Sequence, residues 1–133
     1  MCITKKARQR RLIMVFLLLS VSILVFVACG TSGPVVIEKN TVHMSDADFT
    51  QSSITISKGG SITLINDSVI AHIIQNGQWK DGVVQKKIES GAPAVNVTFN
   101  SNDSHSIGPF NTSGIFNLYC SVHAEMNFTV IAQ

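Results

Sequence analysis

Apolar and polar residues alternate with a period of two through most of the chain after Val35. Ser53-Ile-Thr-Ile-Ser57 alternates, Lys58-Gly59-Gly60 gives a turn signal, and Ser61-Ile-Thr-Leu-Ile65 alternates again. Val83-Val84 leading into Ile88, Ala94 to Phe99, Gly114 to Tyr119 and Asn127 to Ala132 carry the same signature. Successive side chains of an extended strand point to opposite faces, so this alternation predicts strands with one face buried. No segment of this part repeats with helical spacing over ten residues or more. Short strands separated by Gly, Asn, Asp and Ser predict an all-β sandwich. The stretch 100–113 is polar, interrupted by Ile107, Pro109 and Phe110, and reads as a loop.

The N-terminal segment follows a different pattern. Lys5, Lys6, Arg8, Arg10 and Arg11 form a basic head, and an uncharged run from Leu12 to Ala28 follows, broken by Ser20 and Ser22. A basic head, an apolar middle and a small residue before a cut make an export signal. Val27-Ala28-Cys29-Gly30 resembles a bacterial lipobox, with Phe26 where Leu is usual, and makes Cys29 the residue to be lipidated. A second reading keeps the segment as an uncleaved anchor, since Leu12–Gly30 is close to the ~20 residues that span a bilayer. Simple secretion is a third. The first two place the rest of the chain outside the cytoplasm, tethered to the bacterial cell membrane, with the basic head inside. Arg10-Arg11 leaves general or twin-arginine export open. The expected organisation is a signal or anchor at 1–28, a lipidated N-terminus and linker at 29–40, and one domain at 41–133.

Charge divides at the same point. The whole chain of 133 residues carries +2, but beyond residue 28 five Lys face eight Asp or Glu with no Arg, a net −3. The basic excess belongs to the head, and no basic patch remains for nucleic acid. The cysteines divide likewise. Cys2 leaves with the signal and Cys29 takes the lipid, so Cys120 is the one free thiol of an exported domain. Paired disulfides are the norm there, and an unpaired thiol needs a reason. It is either a small buried hydrophobe or a ligand, and its neighbours decide.

Those neighbours are Cys120-Ser-Val-His123-Ala-Glu-Met126, with Cys, His and Met at spacings of three and three. Mononuclear electron-transfer copper sites use two imidazoles and a thiolate in a trigonal plane, with a distant thioether on the axis. The thiolate suits Cu(I), imidazole suits both oxidation states, and a weak thioether keeps the geometry acceptable to both. A tight loop between two strands can supply three of these donors. The fourth candidate is His72, six residues after Asn66 and just past a strong strand.

Residues LINDSVIAH, ending at His72, and SGIFNLYCSVHAEM, ending at Met126, resemble the plastocyanin- or amicyanin-type cupredoxins over roughly residues 42–132. The His-to-Met spacing is that of the short amicyanin-like loop. The resemblance implies a Greek-key β-sandwich holding one copper ion at one end through His72, Cys120, His123 and Met126. It also implies a monomer that carries single electrons between transient redox partners. They would dock on an apolar rim of Val69, Ile70, Ala71, Val122 and Ala124 around His123. Asn66, which ends the strand before the first ligand, and Ile73, which follows that ligand, would touch the ligands and not the metal. Three departures stand out: Ile73 replaces the usual Asn, Val122 the usual Pro before the second His, and no Gly follows Met126.

Other residues read plainly. His43 and His105 have no partner at ligand spacing and read as surface or structural, Met44 as core, and Lys86-Lys87 as a solvated face. Trp79 reads as a half-buried aromatic covering the sandwich edge. Copper delivery or storage in the cell envelope is the alternative to electron transfer, and a sandwich without redox chemistry is a third reading. The paired His-x-His motifs of multicopper oxidases are absent, so no enzymatic activity is expected.

Overall fold

The computed structural model describes residues 38–133. The expected signal or anchor (1–28), Cys29 and most of the linker lie outside the described residues. Nine strands follow in order: β1 (Thr41–Met44), β2 (Ser53–Ile56), β3 (Ile62–Asn66), β4 (His72–Lys80), β5 (Val83–Lys86), β6 (Asn96–Phe99), β7 (Ser104–Ile107), β8 (Gly114–Cys120) and β9 (Asn127–Ala132). They form two sheets. One has the order β1-β3-β7; the other has the order β2-β9-β8-β4-β5, with β6 also paired to β4. β1 runs parallel to β3 and β2 parallel to β9, while the other pairs are antiparallel. The all-β sandwich expected from the alternation is the fold observed. Just before β1, the Asn40 carbonyl accepts the Thr63 N–H, and Asn40 Nδ2 donates to the Ser61 carbonyl.

Alternation sets which side chains meet. Ile62, Leu64 and Asn66 of β3 point inward, as do Phe116, Leu118 and Cys120 of β8 and Phe128, Val130 and Ala132 of β9. Met44 is fully buried among them, as expected. Phe49 packs on Phe128 with ring centres 4.9 Å apart, and Phe110 on Phe116 at 5.2 Å. Burying a side chain of this size contributes about 1.5–3 kcal/mol, so these rows hold the two sheets together.

Two elements depart from the sequence reading. The stretch 100–113, expected to be a loop, contains β7, which pairs antiparallel with β3 from Ile62↔Ile107 to Ile65↔Ser104. Three of its four residues are exposed, so an edge strand with one core residue leaves almost no hydrophobic pattern. The second is β4, nine residues long, which opens on His72 itself. Its first half pairs with β6 and β8, and its second half pairs with β5. Gly77 separates the halves at φ +120°, where a Cβ would collide with the Gln85 carbonyl oxygen. A strand that changes partners midway, at a residue only glycine can occupy, has no uniform period to read.

Candidate metal centre

Strand register brings the first two donors together. Ile74 stands opposite Cys120 in the β4–β8 ladder, and His72 lies two positions earlier on the same face of β4. Both side chains therefore point between the sheets at the end of β8. The chain then turns. The Cys120 N–H donates to the Met126 carbonyl at 3.0 Å, closing the segment 120–126 into a tight loop that carries His123 back over the other two. Cys120 Sγ lies 3.6 Å from His72 Nδ1 and 3.4 Å from His123 Nδ1, and the two Nδ1 atoms are 3.0 Å apart. Residues 51 positions apart in sequence thus meet ring to ring, with centres 4.6 Å apart. Met126, whose backbone carbonyl is tied to Cys120, is buried.

The three donor atoms converge on one point, and they fit a small metal ion. Three ligands bonded to one first-row ion at about 2.0–2.3 Å stand roughly 3.3–3.8 Å apart; both sulfur–nitrogen distances fall in this range, and the nitrogen–nitrogen distance of 3.0 Å is shorter. Among the described residues this is the group of His, Cys, Asp and Glu donors gathered tightly enough to hold an ion. Two imidazoles and a soft thiolate suit copper, and the buried Met126 at the end of the same loop is a candidate thioether ligand. Burial, and then the neighbouring His123, hold the His72 pKa below the ordinary 6.5, with the Ser45 backbone and Asp46 pulling the other way. His72 therefore stays neutral near pH 7 and keeps a lone pair on its ring for a metal.

The loop before His72 is shaped by Asn66. This fully buried amide donates to the carbonyls of Ile70 and Asn100, both at 2.8 Å, and accepts the Ser68 N–H at 3.0 Å. It links the end of β3, in one sheet, to the loop that feeds β4 in the other. The Ile73 side chain offers no hydrogen bond, but its carbonyl accepts the Ser121 N–H at 2.8 Å, tying the start of β4 to the ligand loop. Val69, Ile70 and Val122 are exposed at 84%, 42% and 52% of their surface. Ala71 and Ala124 are exposed too, and His123 is half-buried between Val122 and Ala124.

The remaining histidines stand apart. His43 Nδ1 pairs with Asp67 at 2.7 Å, and His105 packs edge-on against Phe99 with ring centres 4.8 Å apart. Trp79 is half-buried, as expected for an edge aromatic, but it does more than cover. Its Nε1–H donates to the Cys120 carbonyl at 2.8 Å. Nothing in the spacing of Trp79 signals this bond, because it joins positions 41 residues apart. Tyr119, fully buried yet outside the main core, lies beneath the indole edge at 6.2 Å and 87°. Burial, and then the neighbouring Cys120, push its phenol pKa up, so it stays protonated and can donate to Gln75 Oε1 at 2.9 Å.

No family model and no curated protein matches this chain. Solved structures do. A purple cupredoxin from Nitrosopumilus maritimus matches with a TM-score of 0.55 and 20% identity, over 70% of this chain and 98% of that one. Amicyanin from Paracoccus versutus (Thiobacillus versutus) matches with a TM-score of 0.54 and 21% identity, over 75% and 86%. A reduced Cu(I) form of an amicyanin variant matches with a TM-score of 0.54 and 17% identity, over 70% and 80%. The chain has the cupredoxin fold.

Proposed function

We propose that this protein is a single-copper electron carrier whose ion would be held by His72, Cys120, His123 and Met126. The observation that carries the reading is the convergence of two Nδ1 atoms and one Sγ within 3.0–3.6 Å, with a buried methionine at the end of the same loop. The likeness of the fold to an amicyanin solved in a Cu(I) form supports it. Copper held there would supply one-electron chemistry between Cu(I) and Cu(II). His72 and Cys120, fixed by the β4–β8 register, keep the donor positions the same in both states. His123 reaches toward the surface, and the apolar rim of Val69, Ile70, Ala71, Val122 and Ala124 offers a small, dry contact for a transient redox partner. Burial of His72, Cys120 and Met126 favours a carrier over a delivery protein, which must hand its ion on through accessible donors. The protein acts as a monomeric carrier, not an enzyme, outside the cytoplasm. There the basic head, apolar run and Cys29 tether it to the membrane as a lipoprotein.

The test is the visible spectrum of the copper-loaded full-length chain. An intense thiolate-to-copper band is expected, and Cys120→Ser should abolish both that band and most Cu(II) affinity. A colourless copper complex points to delivery or storage. An unchanged spectrum in Cys120→Ser removes the thiolate from the site.

A further inference from the structure

We propose that the β4–β5 hairpin is a clasp on the ligand loop, with Trp79 as a positioning residue acting through the backbone of Cys120 and Glu125 as its second hold. The proposal deepens the copper reading and rests on it for its functional meaning.

Three of the four proposed ligands lie in the seven residues from Cys120 to Met126. Inside that segment the bonds are few. The Cys120–Met126 bond closes it, and the Met126 N–H reaches the His123 carbonyl at only 3.5 Å. Glu125 sits at φ +61°, a left-handed conformation that is unfavourable for a side chain and persists when its surroundings impose it. Ile73, next to His72, has an apolar side chain that cannot bond to the loop.

The hairpin supplies what the loop lacks. Trp79 Nε1–H donates to the Cys120 carbonyl at 2.8 Å. The Trp79 backbone and the Asn127 side chain bond reciprocally, N–H to Oδ1 at 2.7 Å and Nδ2–H to the carbonyl at 3.1 Å. The Gly82 N–H, at the hairpin tip, donates to Glu125 Oε1 at 2.9 Å. All four bonds end on residues 120–127: at the first residue, at the strained one, and at the residue where β9 begins. In the sheet, β8 lies between β4 and β9, so a hairpin that reaches Asn127 must cross the outer face of β8. Gly77 gives β4 the bend to do so, and Tyr119 is buried where the hairpin crosses. An apolar lid over Tyr119 would need only surface. Directed bonds to both ends of the ligand loop fix the backbone from which Sγ and Sδ project.

The test compares Trp79→Phe, which keeps the ring over Tyr119 and deletes only the N–H donor, with Glu125→Ala and the conservative Glu125→Gln. The readouts are amide exchange in the full-length metal-free chain, and copper release to a chelator and reduction potential in the loaded one. One hydrogen bond changes such an equilibrium roughly three- to tenfold. Trp79→Phe and Glu125→Ala are each expected to speed exchange at the Cys120, Ser121 and Met126 amides by about that factor. Strands β2 and β3 should be unaffected, while copper release quickens and the potential shifts. Glu125→Gln, which keeps the acceptor oxygen, should behave as the wild type. Wild-type exchange at those amides in both disruptive variants, or an equal rise across the whole sandwich, overturns the clasp. If the wild-type chain shows no copper–thiolate band, the copper reading fails while the metal-free exchange still decides the clasp.

Discussion

Ile74 faces Cys120 across the β4–β8 ladder, and this pairing places His72 Nδ1 3.6 Å from Cys120 Sγ. A slip of one residue would turn His72 to the opposite face of the sheet. The donor geometry is therefore set by backbone register, with the side chains adding the final orientation.

The four proposed ligands differ in bond strength, so their removal should differ in kind. Met126→Gln is expected to keep the copper–thiolate band and lower the reduction potential. An amide oxygen is a harder donor than a thioether and favours Cu(II). His72→Ala removes one of the two imidazoles that would hold the ion and should collapse the band itself. Voltammetry beside visible spectra on the two variants checks this. An unchanged or raised potential in Met126→Gln would remove Met126 from the proposed ligands.

The metal-free protein should lose stability in mild acid. The folded-state pKa of His72 is lowered, first by burial and then by His123. Above the ordinary value of 6.5 the ring is neutral in both folded and unfolded chains and contributes no slope. As pH falls through that value the unfolded chain takes the proton first, so stability drops until the lower folded pKa is passed. Urea unfolding of the metal-free chain between about pH 8 and pH 5 should show this loss, and His72→Gln should show a shallower one. Equal slopes in both would mean that His72 carries no linkage.

Asn66 joins the end of β3 to the loop before His72 and to Asn100. Asn66→Ala leaves two carbonyls and one N–H without their partner, at an expected cost of about 2–3 kcal/mol in unfolding free energy. Copper affinity should fall further than this global loss explains, because the loop that presents His72 is released. Chemical denaturation together with copper titration separates the two effects. Wild-type copper affinity in this variant would confine Asn66 to a folding role.

Membrane attachment through Cys29 is open to a direct test. Cys29→Ala should release the domain from membranes or block its processing. Fractionation and mass measurement read the outcome, and a membrane-bound variant of unchanged size would favour the uncleaved anchor.

Much of this was legible in the chain itself. Alternation at 53–56, 62–65, 96–99, 114–119 and 127–132 marks five of the nine strands, because a half-buried strand must repeat every two residues. The candidate ligands Cys120, His123 and Met126 could be named from the sequence because one short loop carries all three. Asn66 and His72 were legible through the resemblance. Val83-Val84 marks β5 in part, β1 was not singled out, and β4 and β7 were not legible. β7 buries only Ile107, and β4 changes partners at Gly77, so neither leaves a continuous period. The crossing of the β4–β5 hairpin over β8 was decided by tertiary structure alone. So were the hold of Trp79 on the Cys120 carbonyl and the placing of Glu125 against Gly82. A local pattern records which face of a strand is buried, because burial acts on each residue in turn. Hydrogen bonds between positions 41 to 48 residues apart depend on where folded strands cross, and spacing along the chain does not encode that.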